Sequence, residues 1–188
     1  MNTPSHYILN LWLLGTTVAP NATVAITLGA ILPDAPIFIF YGVAKWIYRL
    51  PESEIWTTAY YQPLWQNIIA LSHSIPLAII GALICWYFGA KLGVIFCISL
   101  VFHSLLDLPV HHDDAHRHFY PFSNYRFISP FSYWDPKHYG NIVAFVELSL
   151  VAIASFFVWK ILKTPWSKGI LVLINLLYIF AYSRFYLR

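Results

Sequence analysis

The stretch Phe102-His103-Ser104-Leu105-Leu106-Asp107-Leu108-Pro109-Val110-His111-His112-Asp113-Asp114-Ala115-His116-Arg117-His118-Phe119 follows directly on the apolar run 92–101. A dense set of metal-ligating side chains therefore stands at the end of a helix-length apolar segment. Each ionisable group at membrane depth costs about 2.5 kcal/mol or more, so a cluster of them marks a functional site by default. Six of the eight histidines lie between His103 and His138, and the other two, His6 and His73, also border apolar segments.

Working outward, 59% of the 188 residues are hydrophobic, 10% are charged, and the mean hydropathy is +0.63. Soluble domains carry about 25% charged residues, so this is the composition of a membrane protein. A helix crosses roughly 30 Å of hydrocarbon with about 20 residues. The fold expected is an all-α integral membrane bundle of about five or six spanning or half-spanning helices with a long His-rich loop, in a single domain over residues 1–188. Residues 1–108 form ligand-bearing hairpins, 109–140 the His and aromatic loop, and 141–188 a closing hairpin.

Cys85 and Cys97 sit in apolar stretches and read as small hydrophobes rather than as a disulfide or thiolate site. A cleaved signal peptide is not expected, because no basic residue precedes the first apolar stretch and Asn10, Pro20 and Asn21 interrupt it. The net charge of +3 comes from scattered basic residues, which excludes nucleic acid as the main partner.

The first limb, Tyr7 to Ala19, ends at the Pro20-Asn21 turn signal and returns through Ala22 to Leu32. Leu32-Pro-Asp-Ala-Pro36 reads as a break, because two prolines do not both continue a regular helix. Arg49 to Gln62 carries Glu52, Glu54, Trp56, Tyr60 and Tyr61, the mixture of a segment lying at the headgroups. Leu64 to Phe88 is interrupted at Leu71-Ser-His-Ser-Ile-Pro76, where Ser74 is placed to cap a helix with Pro76 in its first turn. Leu92 to Leu108 is its partner, and the closing helices are expected over 141–162 and 169–187.

Depth then follows from counting. His6 and Asp34 lie about equally far from the Pro20-Asn21 turn, and His73 lies about as far before Lys91 as His103 and Asp107 lie after it. Equal limbs of a helical hairpin return to one level at 1.5 Å per residue. Five ligand-type side chains from four segments are thus expected to converge.

His103 and Asp107, four apart, share a helix face, and imidazole and carboxylate are donors that a divalent ion accepts at about 2.0 to 2.2 Å. Singly, each motif has a plainer reading: a packed His–Asp pair, a turn aspartate at Asp34, a helix-capping serine beside His73. Their convergence favours the metal. If helical, the loop pairs His112 with His116 and Asp114 with His118, giving a second metal site or carboxylates that orient ligating imidazoles. Arg117 and Arg126 suit an anionic group on a substrate, or the headgroups of anionic lipids. The aromatic string from Phe119 to Trp134 packs this loop on the membrane surface.

The order His6, Leu32-Pro33-Asp34, Ser72-His73-Ser74, His103-Ser-Leu-Leu-Asp107 resembles the YdjM-like family of membrane-bound metal-dependent hydrolases over residues 1–112. That family is in turn distantly similar to the zinc-dependent phospholipase C and single-strand nuclease superfamily. The resemblance implies one ion held by Asp34, His73, His103 and Asp107, and another shared by His6 and Asp107. A third ion would draw on His111 or His112, but the further histidine with a carboxylate four residues on is missing, since Ile142 stands at that distance from His138. The superfamily also uses its N-terminal amino group as a ligand.

The expected cofactor is a divalent metal, zinc ahead of manganese or iron, and the expected activity is hydrolysis of a phosphoester on a membrane lipid or lipid-linked substrate by metal-activated water, with Asp34 as the catalytic carboxylate and Arg117 and Arg126 on the substrate anion. The rival readings are a membrane di-iron oxygenase and a metal- or lipid-binding scaffold. The location expected is a bacterial inner membrane. Lys45, Arg49, Arg184 and Arg188, with the loop cations, place the site on the cytoplasmic side against Lys91, Lys160, Lys163 and Lys168.

Overall fold

In the computed structural model, which describes residues 1–187, all regular structure is helical; Arg188, counted above for sidedness, lies outside the described residues. Helix α1 (Thr3–Asn10) starts with Pro4 in its first turn, where the missing N–H costs nothing, and runs on as a π-helical turn to Gly15. The chain turns and returns as α2 (Thr23–Ile31). At the break expected from the prolines the regular α-helix gives way to a 3-10 turn, although the helical run continues through it. Pro33 sits in a 3-10 turn (Leu32–Asp34) and Pro36 in the first turn of α3 (Ala35–Gly42), positions where a helix tolerates proline.

The segment after α3 holds a short α4 (Glu52–Glu54) flanked by π-helical turns. α5 (Pro63–Ser72) ends at His73, and the Ser74 hydroxyl caps α6 (Ile75–Tyr87) by accepting from the Leu77 N–H, as its position in the sequence predicts. α7 (Lys91–Asp107) packs back along α6. The closing pair is α8 (Gly140–Ile161) and α9 (Pro165–Tyr186). α9 begins four residues earlier than the sequence reading, because Thr164 accepts from the Ser167 N–H and Pro165 fits the first helical position.

Among the described residues, three helical runs are long and apolar enough to cross a membrane: Thr23–Ile47, Gly140–Ile161 and Pro165–Tyr186. The bent pair Pro63–Ser72 and Ile75–Tyr87, angled at 43°, makes a fourth if taken as one span. α1 and α7 are shorter, at 8 and 17 residues.

Two cores hold these elements. Ile8, Leu11, Leu14 and Ile26 meet Val151, Ala154, Val158 and Leu171 where α1 and α2 pack on the closing pair. Phe40, Ala44, Ile55, Tyr60 and Ile69 form a smaller aromatic-rich core among α3, α5 and the segment between them. Between α2 and α7 the backbones touch. A Cβ placed on Gly29 would lie 2.5 Å from the Phe96 carbonyl oxygen and 2.6 Å from Ser99 Cβ, so only glycine fits. Buried hydrogen bonds lock that contact: Ser99 Oγ donates to the Ile26 carbonyl at 2.7 Å, and Asn10 Nδ2 donates to the Ser99 carbonyl at 2.9 Å.

Candidate metal centre

α7 carries His103 and Asp107 on one buried face. His103 Nδ1 donates to the Ala30 carbonyl of α2 at 2.8 Å, and a carbonyl only accepts, so in the neutral ring Nε2 presents a lone pair. His73, at the end of α5, is set the same way by the Ile69 carbonyl at 2.9 Å. Both Nε2 atoms are buried and have no hydrogen-bond partner.

What they face is two carboxylates. His103 Nε2 lies 3.5 Å from Asp34 Oδ1 and 3.2 Å from Asp107 Oδ2; His73 Nε2 lies 3.5 Å and 3.8 Å from the same two oxygens. Donors held about 2.1 Å from a tetrahedral zinc stand about 3.4 Å from one another. The four nitrogen–oxygen separations fall near that value. The 3-10 turn delivers Asp34 to this group, and the Thr3 hydroxyl donates to the other Asp34 oxygen at 2.6 Å.

The second oxygen of Asp107 serves a different group. Oδ1 lies 2.9 Å from His6 Nε2 and 3.1 Å from His111 Nε2, and accepts from the Met1 amino group at 2.8 Å. The His6 ring stacks on His103 at 3.7 Å. His6, Asp34 and His103 form one triad able to hold a metal ion, and His73, Asp107 and His116 another, with the ligand atoms of each within 4.8 Å of one another.

His116 comes from the loop, which around the histidine run is built of turns, bends and irregular chain, its one helical piece being a 3-10 turn at Pro136–His138. The helical pairings expected there are replaced. Asp114 Oδ2 lies 3.1 Å from His111 Nδ1, the orienting role foreseen for it but toward a different histidine. His116 packs against His73 at 4.2 Å, and His118 Nδ1 lies 3.4 Å from the His73 carbonyl. Burial, followed by the neighbouring His73 and His111, holds His116 well below the usual imidazole range. Burial, with His73 next, pushes His118 down to about 4. Both are kept neutral, the form that ligates.

Of the adjacent pair, His111 meets Asp107, whereas His112 turns to the Ser129 carbonyl at 2.5 Å and stacks on His138 at 3.6 Å. His112 is therefore withdrawn as a ligand, because the chain bends at this residue and its ring is held by Ser129 and His138 instead. Arg117 donates to Asn67 and Asn124 and lies over the Tyr120 ring, and Arg126 donates to Gln66. All these partners are neutral, so both guanidinium charges remain available.

Sequence reading passed over Thr3, which holds Asp34, and Glu147, which holds the N-terminal segment. Glu147 Oε1 accepts from the Asn2 N–H at 3.0 Å and from the Ser5 hydroxyl at 2.6 Å. Its signal was available: it is the single carboxylate in the 22 residues of α8. No family model, curated protein or solved structure matches this chain.

Proposed function

We propose that this chain is a membrane-bound, metal-dependent hydrolase of a phosphoester on a lipid or lipid-linked substrate. The observation that carries the reading is the buried set His73 Nε2, His103 Nε2, Asp34 Oδ1 and Asp107 Oδ2, spaced 3.2 to 3.8 Å across each nitrogen–oxygen pair, with both nitrogens unpartnered. Buried, unpartnered imidazole nitrogens beside carboxylates are costly unless a proton or a cation sits between them, and a divalent cation serves several such nitrogens and oxygens at once. Nitrogen and oxygen donors without thiolate suit zinc, with manganese or iron accommodated by the same set.

A bound divalent ion lowers the pKa of water towards about 7 and stabilises charge on a phosphoryl oxygen. The protein's own groups do the rest. Asp34 is the most exposed member of the four, with its side chain 11% accessible against 1% or less for the others, so it is the carboxylate that accepts the proton of the attacking water. Thr3 keeps that carboxylate in place through its second oxygen. Asp107 and the imidazoles hold the cation, Asp114 orients His111, and Arg117 and Arg126 grip the substrate anion through two-pronged hydrogen bonds.

The YdjM-like resemblance supports the same hydrolase assignment, the apolar tracts support an inner-membrane bundle of five or six spanning or half-spanning helices, and the flanking and loop basic residues support a site facing the cytoplasm. Elemental analysis of the purified full-length protein, followed by a panel of phosphoesters, tests it. Zinc or manganese with chelator-sensitive phosphoester cleavage is expected. Iron with an optical signature and no cleavage would replace this reading with an oxygenase, and a metal-free, inactive protein would replace it with a scaffold.

A further inference from the structure

We propose that the cleft between α8 and α9 is a binding site for the primary ammonium headgroup of a membrane lipid, with Glu147 as the counter-charge. The site does not depend on the metal reading. Glu147 is 2% exposed and lies within a candidate membrane-spanning helix. Its Oε1 accepts from the Asn2 N–H, Asn2 Nδ2 at 3.1 Å, the Ser5 hydroxyl and the Tyr178 hydroxyl at 3.2 Å, all of them neutral donors. Its Oε2 is buried without a partner. Among the described residues no lysine, arginine or histidine reaches ion-pairing distance of it. An uncompensated buried carboxylate at membrane depth calls for a cation.

Glu147 lines a cleft of about 360 Å³, within the size range of ligand sites. The remaining wall is mainly aromatic: Tyr133, Trp134, Tyr178, Tyr182, Phe185 and Tyr186. Aromatic faces around a carboxylate recognise an ammonium group by cation–π attraction and charge. A primary ammonium also brings N–H donors, which Oε2 lacks. Asn2, Pro4, Ala144, Leu177 and Ala181 complete the cleft, and Leu177 is half exposed on the outer apolar surface of the closing pair, where an acyl chain continues from a bound headgroup. That continuity with the lipid-facing surface selects a lipid over a free amine.

Full-length protein in detergent is exchanged into phosphatidylglycerol and challenged with phosphatidylethanolamine or phosphatidylcholine, and retained lipid is counted by native mass spectrometry. Phosphatidylethanolamine is expected to be retained about tenfold over phosphatidylglycerol, the scale of one hydrogen bond to a charged group. Glu147→Gln keeps an acceptor for Asn2 and Ser5 and removes the charge, so it should erase that preference. Tyr182→Leu, which touches none of the hydrogen bonds of Glu147, should weaken retention about threefold through the lost ring face. Equal retention of phosphatidylethanolamine and phosphatidylglycerol, or a preference unaltered in either variant, overturns the site; equal retention of phosphatidylcholine overturns the contact of an N–H donor with Oε2.

Discussion

Two buried polar groups flank residues 1–6, and they differ in what surrounds their carboxylates. Asp34 and Asp107 face imidazole nitrogens from four segments, while Glu147 faces neutral donors and aromatic rings. Many convergent lone pairs at close spacing suit a small, strongly polarising ion. One carboxylate among ring faces suits an organic ammonium group. The lesson is that a buried acid is read from its neighbours, since the same carboxylate supports either chemistry.

The sharpest way to break this contrast is Asp107→Ala. Both oxygens of Asp107 serve ligand groups, so this variant should lose all bound metal, measured as metal per protein after gel filtration in detergent. His103→Ala should follow, losing the metal of the His6, Asp34 and His103 triad while the protein stays folded by circular dichroism. Full metal content in both variants would remove the centre. Next in size, Gly29→Ala forces α2 off α7 and should destabilise the protein by about 1–3 kcal/mol, seen as a lower thermal midpoint together with weaker metal retention. Glu147→Gln should leave metal content within about twofold of the parent, because the Asn2 and Ser5 hydrogen bonds survive; complete metal loss there would merge the two groups into one. The smallest effect is expected for His112→Ala, with metal content unchanged and stability altered by about 0.5 kcal/mol or less.

Much of the centre was legible because helical rise is fixed. Counting equal limbs from Pro20-Asn21 and from Lys91 places His6, Asp34, His73, His103 and Asp107 at one level, and their ligand atoms do meet. The Leu32–Pro36 segment does interrupt the regular α-helix, but as a 3-10 turn inside one continuous helical run, because how far a proline disrupts a helix depends on where a turn already falls, which its neighbours decide. The loop was beyond reach for a related reason. Its shape is set by distant main-chain partners, such as the Ile75 N–H on the His118 carbonyl and the Tyr133 N–H on the Val110 carbonyl, and no local periodicity encodes those. That is why His111 and His112 could not be told apart. Glu147 was passed over because the histidine cluster drew the reading, although an acid alone in an apolar helix carries the same kind of signal.

The close approach at Gly29 has a consequence for how such a bundle can vary. With only the small Ser99 side chain between the two main chains, the gap from the Asp34 turn to His103 is set by the Gly29 backbone against Phe96 and Ser99, and His103 is itself tethered to a main-chain oxygen. The outward-facing residues of these helices can then be exchanged to match one lipid environment or another without retuning the cation cage.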